Sequence, residues 1–181
     1  MRASVPWFLA GVLLCSLGLT ASASRQDPVD PALSKVATDE QFRAAPTFTL
    51  PDLKGRQNKS VDLQESIVVL DFWATWCEPC IGEVPMFNRL HQKYAPRGVK
   101  VLGVAVQSGW PRDIKRFATR HKMSYTILAG NDDIVTDFDV IAFPTTYLIA
   151  PGWKLYKKYS GTYPDKGTEL ERDIETLLKQ K

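Results

Sequence analysis

Residues 67–80 read Ile67-Val68-Val69-Leu70-Asp71-Phe72-Trp73-Ala74-Thr75-Trp76-Cys77-Glu78-Pro79-Cys80. The first eight form a nearly continuous apolar run, as expected of a central strand covered on both faces. A helix is expected to follow from about Cys77 to Tyr94, because Val84, Phe87, Leu90 and Tyr94 recur at three- and four-residue spacing. Pro85 falls inside it and should kink it. Two cysteines three residues apart at a helix start share one face. That brings their Cα atoms within the roughly 4.4–6.8 Å a disulfide needs. The helix N-terminus offers partial positive charge and free N–H groups, which lower a thiol's pKa. Cys77, in the first turn, gains most and can be exposed; Cys80 lies deeper and would resolve a mixed disulfide. Half a zinc site would need two more ligands, and His91 and His121 stand away from any ligand-like spacing. An inert disulfide closing so short a loop would stabilise little. The pair therefore reads as a redox centre.

Outward from this stretch, strands and helices alternate. Thr47–Leu50 and Ser60–Leu63, separated by the turn-rich residues 52–59, suggest an N-terminal hairpin. Val99–Val106 is a second buried strand. Pro111 can open a helix with Ile114, Phe117 and Ala118 inward. Tyr125–Leu128 is a third strand, and Asp132–Phe138 a short helix. Thr145–Ala150 and Leu155–Ser160 form a strand pair turning at Pro151-Gly152. A final helix opens with a capping box, Thr168 to Glu171, and buries Leu170, Ile174, Leu177 and Leu178. This order indicates an α/β layered domain.

The whole chain has 181 residues, 44% hydrophobic and 24% charged, enough for one medium-sized core. A net charge of +3 from 23 basic and 20 acidic residues is too balanced for nucleic-acid binding. Three cysteines rule out a disulfide-dense scaffold and leave an odd one. The N-terminus accounts for it. Met1-Arg2, the uncharged run Pro6–Thr20 and Ala21-Ser22-Ala23 make residues 1–23 a signal peptide with cleavage after Ala23. The alternative is an uncleaved anchor, although the run is short for a span of about 20 apolar residues. Lipid attachment at Cys15 is disfavoured by Leu14, where a small residue is preferred. Cleavage removes Cys15 and leaves Cys77 and Cys80 in an oxidising compartment. Residues 24–45, with Pro28 and Pro31, read as a spacer, and 46–181 as the folded domain.

Asp71 interrupts a strand expected to be buried on both faces. Desolvation would raise its pKa and suit it to act as base or proton relay for Cys80; a purely structural buried acid is the other reading. Glu83, three residues beyond Cys80, has two readings side by side: a second acid at the site, or a surface acid favoured by the helix dipole. Trp76 is expected to be exposed beside Cys77 and to contact partners, and Trp73 to be core. Glu78 and Pro79 set local charge and backbone shape. Gln107–Trp110 ends a strand on the side where α/β ligand sites gather, with a plain connecting loop as the favoured reading. The Lys154, Lys157 and Lys158 cluster reads as a solvated strand face, and the two histidines as ordinary helix residues. No metal, nucleotide or flavin motif appears, so no cofactor beyond the cysteine pair is expected.

The string Asp71 to Cys80, together with Pro85 and Ala142-Phe143-Pro144-Thr145-Thr146-Tyr147-Leu148-Ile149, resembles the thioredoxin superfamily. Within it, the Trp-Cys-Glu-Pro-Cys run is most similar to the exported TlpA/ResA-like thiol-disulfide oxidoreductases. The likeness covers about residues 46 to 180. It implies a thioredoxin fold, a central mixed sheet flanked by helices, here with an N-terminal hairpin and an inserted strand–helix unit between Cys77 and Pro144. It also implies that Pro144 is a cis-proline facing the disulfide, with Phe143 beside it for pairing with an extended substrate. Asp71 matches the buried acid of ordinary thioredoxins, and Glu83 a glutamate of many TlpA/ResA-like proteins. Those relatives often carry Asn in place of Asp71, so which acid moves the proton stays open. The implied activity is reduction of disulfides in extracytoplasmic proteins, apocytochrome c among them, in the periplasm or on the outer face of the inner membrane. A membrane thiol-disulfide donor would restore the dithiol, and the protein would touch the membrane only through a retained leader. A disulfide-forming oxidase and a non-catalytic binding or chaperone module are the alternatives.

Overall fold

The computed structural model describes residues 42–180. The leader, Cys15 and the spacer up to residue 41 lie outside the described residues. The chain is already paired before residue 46: the Ala45 N–H donates to Trp153 O, and the Leu155 N–H to Arg43 O.

A five-stranded sheet carries the fold, in the order β5-β4-β3-β6-β7. Its strands are β3 (Ile67–Trp73), β4 (Val99–Ala105), β5 (Thr126–Ala129), β6 (Thr145–Ala150) and β7 (Lys154–Ser160). β3 is central, parallel to β4 and antiparallel to β6, and each of its seven residues is buried. Its apolar composition follows from this position, since helices or hairpin cover both faces. The helices are α1 (Glu78–Tyr94), α2 (Pro111–Arg120), α3 (Asp132–Asp137) and α4 (Lys166–Gln180). β5 and α3 form the expected inserted strand–helix unit, and α/β layering with a mixed sheet is observed throughout.

Side-chain alternation along β3 divides the core. Ile67, Val69 and Trp73 join Phe87, Leu90, Ile114, Leu170 and Ile174 on the face that holds α1, α2 and α4. Val68, Leu70 and Phe72 join Leu50, Leu128, Phe138 and Trp153 on the other. Asp71 has the parity of the first set, so its side chain points to the α1 face.

Two boundaries differ from expectation. The hairpin pairs β1 (Thr49–Pro51) with β2 (Gln57–Lys59), and Ser60–Leu63 is a turn of 3-10 helix, not a strand. The Asp52 carboxylate closes the hairpin by accepting from the Lys54 and Arg56 N–H groups, with Gly55 at φ 81°. Buried Ser60 then ties back to Phe48, its Oγ accepting from that N–H at 2.9 Å. With β3 starting at Ile67, the chain must turn at once, and a strand has no room.

The last helix starts at Lys166, two residues before the expected cap, so Thr168 lies inside it. The Lys166 N–H donates to Tyr163 O, and Lys166 itself is buried. A long-range partner for that lysine, described below, overrides the local capping signal. Leu178 is only partly buried against the core.

Candidate active site

The cysteine pair sits where β3 ends and α1 begins. Cys77 is the N-cap and not a first-turn residue, with Glu78 and Pro79 as the first helical residues. Its Sγ accepts from the Cys80 N–H at 3.3 Å. The two cysteines form a disulfide with a Cα separation of 5.3 Å. Both are 5% exposed, so in the oxidised form Cys80 lies no deeper than Cys77. The bond draws Cys77 Sγ onto the helix, and both cysteines pack into the core cluster that Phe143 borders.

The loops around the pair are pinned. The Thr75 N–H donates to Ser108 Oγ at 2.9 Å, and that hydroxyl donates to Val106 O at 2.8 Å. Trp76 is 62% exposed, its indole N–H reaching Gln107 O at 3.1 Å. Its ring meets Phe143 edge-on, with centroids 5.8 Å apart. Glu78 and Pro79 are exposed beside it. Gln107–Trp110 is therefore more than a plain connection, since it braces both the loop and the indole.

Pro144 precedes β6, whose first residue, Thr145, pairs with Phe72 near the end of β3. This register places Pro144 at the sheet end where α1 begins. The Phe143–Pro144 peptide bond is cis. β6 is an interior strand, not an edge: its neighbour β7 lies beyond it, and Pro144 O accepts from the Gly161 N–H at 2.8 Å. Phe143, one residue further out, is half-buried.

Both acids are buried, Asp71 on β3 and Glu83 on α1 three residues beyond Cys80. Asp71 is 2% exposed, and its Oδ1 accepts from the Thr146 hydroxyl at 2.8 Å. Burial pushes its pKa up to about 8, with the Lys166 charge and the Thr146 bond opposing and the Glu83 charge reinforcing. Glu83 is 5% exposed, which removes the surface reading. Its Oε2 accepts from Lys166 Nζ at 2.7 Å, while Oε1 is buried without a hydrogen-bond partner. Lys166 was not singled out from the sequence. A lysine at the start of an amphipathic helix carries no local signal that it is buried, and its partner lies on another helix.

The Lys157 ammonium is not simply solvated either. It pairs with Asp173 at 2.9 Å, beside the Tyr159 hydroxyl.

With this geometry in view, the chain can be set beside known proteins. The AhpC/TSA family model matches residues 43–158. The thiol-disulfide oxidoreductase ResA of Geobacillus thermodenitrificans is 38% identical over 135 residues, which is 74% of this chain and 75% of that protein. The chain belongs to the AhpC/TSA family, among its ResA-like thiol-disulfide oxidoreductases. ResA of Bacillus subtilis is 31% identical over 169 residues, covering 93% of this chain and 88% of its own. A solved thiol:disulfide interchange protein, DsbE from Chlorobium tepidum, superposes with a TM-score of 0.69 at 30% identity, over 76% of this chain and 96% of that one.

Proposed function

We propose that this ResA-like protein reduces disulfides in substrate proteins outside the cytoplasm through a Cys77/Cys80 dithiol–disulfide cycle. The observation that carries the reading is the Cys77–Cys80 disulfide at the N-terminus of α1. The Cys77 thiolate attacks a substrate disulfide, forming a mixed disulfide and releasing one substrate thiol. Cys80, deprotonated by a buried acid, then attacks Cys77 Sγ. The second substrate thiol leaves, and the Cys77–Cys80 bond closes. The dithiol loses two electrons and the substrate disulfide gains them.

Trp76, Phe143 and Pro144 form the rim on which an extended substrate would lie, and Glu78 and Pro79 shape its edge. A thiol-disulfide donor in the membrane restores the dithiol. Residues 1–23 export the chain to the periplasm or the outer face of the inner membrane, and apocytochrome c is one substrate of the expected kind. No cofactor or metal beyond the cysteine pair enters this cycle.

The test uses the chain from residue 24 onward with a model protein disulfide. Cys77→Ser abolishes turnover, and Cys80→Ser accumulates a mixed disulfide visible on non-reducing gels. Turnover by Cys77→Ser sinks the mechanism. The reduction potential fixes the direction of electron flow: about −270 mV supports a reductant, and about −120 mV an oxidant.

A further inference from the structure

Lys166 is 1% exposed and lies between the elements that build the site. Its ammonium donates to Glu83 Oε2 on α1 at 2.7 Å and to Gly161 O at 3.1 Å. The N–H of the same Gly161 holds the carbonyl of Pro144. The Phe87 ring stands 5.9 Å from the ammonium. Asp71 has no cation in hydrogen-bond contact and receives only the neutral Thr146 hydroxyl. The two buried carboxylates are thus held in unlike ways.

We propose that Lys166 is a positioning residue that divides the work of the two acids, fixing Glu83 as a carboxylate so that Asp71 is the group that exchanges a proton with Cys80. The inference rests on the dithiol cycle proposed above. A direct ammonium–carboxylate bond out of water favours the charged form of both partners. A carboxyl bonded only to a hydroxyl in the same dry layer keeps its proton to much higher pH. Because Asp71 titrates near an ordinary thiol, a fraction of it is ionised at neutral pH, and in the resolving step that carboxylate takes the proton of the Cys80 thiol. The Cys80 thiolate then attacks Cys77 Sγ, and the electron pair of the Cys77–substrate bond leaves on the substrate sulfur.

The other titratable groups that feel these acids are phenols. Tyr125, which precedes β5, responds to both, and Tyr163, which precedes α4, responds to Glu83. Burial raises both phenols above their ordinary value, so they stay neutral while the acids titrate. Lys166 is the cation that acts on Asp71, and its charge opposes that of Glu83.

Carboxyl ¹³C NMR on the reduced full chain follows Asp71. In the wild type its midpoint lies well above the ordinary carboxylate range. Glu83→Gln removes a negative neighbour and frees the lysine's charge, and both changes act downward on Asp71. Its midpoint should therefore fall by about one pH unit or more. Lys166→Met removes the cation that opposes Glu83 and raises the Asp71 midpoint. The double variant E83Q/K166M, with both charges gone, brings Asp71 back to within about half a unit of wild type. Lys166→Arg keeps a cation and should keep the Asp71 midpoint near that of the wild type.

The proposal is overturned if E83Q leaves the Asp71 midpoint in place, since a neutral Glu83 would exert no charge on it. A purely structural lysine would change stability and leave the Asp71 midpoint unmoved in every variant. Should K166M fail to fold, E83Q and K166R decide the matter. A wild-type chain that titrates as expected yet reduces no protein disulfide would overturn the dithiol cycle and leave the division between the acids standing.

Discussion

At residue 71 a carboxyl group occupies a strand position whose neighbours on the same face are Val69 and Trp73. Burial is the largest influence on it, and it holds its proton to about pH 8 instead of 3.8. Between those two values the folded chain carries one more proton than the unfolded chain at this site. Folded-state stability should therefore fall as pH rises through that window and level off above it. The slope is about 1.4 kcal/mol per pH unit. Asp71→Asn has no proton to lose and can still accept from Thr146. Urea unfolding of the oxidised protein should show the variant's advantage over wild type growing from about pH 5 to about pH 7 by that slope. A constant difference across that range would mean that Asp71 is not protonated in the fold. The acid's burial was legible in the sequence, because an apolar run on both sides leaves it nowhere to go. Its partner Thr146 was not, since that contact depends on the β3–β6 register.

Among the elements, β4 shows how closely the α1 face is filled. Gly103 pairs with Asp71 and Ile127 on its two neighbouring strands. A Cβ there would meet Trp73 Nε1 and Tyr125 Cε2 at 2.9 Å and Ile127 Cδ1 at 3.0 Å. Gly103→Ala should cost about 1–3 kcal/mol through overpacking, read as a lower urea midpoint with an unchanged slope. An unchanged midpoint would show that the three side chains yield freely. The elements themselves were largely visible in periodicity, with β3, α1 and β4 falling within a residue or so of expectation. The errors came where a local signal met a distant partner. Ser60–Leu63 alternates like a strand but folds as a turn because Ser60 is claimed by Phe48. Thr168 and Glu171 have the form of a cap, yet the helix starts earlier, where Lys166 meets Glu83.

Over the whole molecule, α1, with the 3-10 turn Ala95–Arg97 that follows it, and α4 lie on the same sheet face and are joined at two levels. Near the solvent, Lys93 pairs with Glu171 at 2.6 Å and Arg97 with Glu175 at 2.5 Å, all four side chains more than a third exposed. Inside, Lys166 pairs with Glu83. Water screens the outer pairs, so Arg97→Ala should change stability by less than about 1 kcal/mol, and by less again in high salt. Thermal unfolding at low and high salt checks this, and a loss of several kcal/mol would mean that the outer pairs hold the helices in place.

The α/β fold, the central strand, the helix that follows it and the cysteine pair between them are all readable along the chain. Each of these rests on periodicity or on spacing within a few residues. The burial of Glu83, its pairing with Lys166 and the bond from Thr146 to Asp71 arise from tertiary packing. Those contacts join residues 75 and 83 positions apart. Nothing local distinguishes a lysine that will be buried against a carboxylate from one left in water. That difference is made by the sheet register and by the packing of α4 against α1.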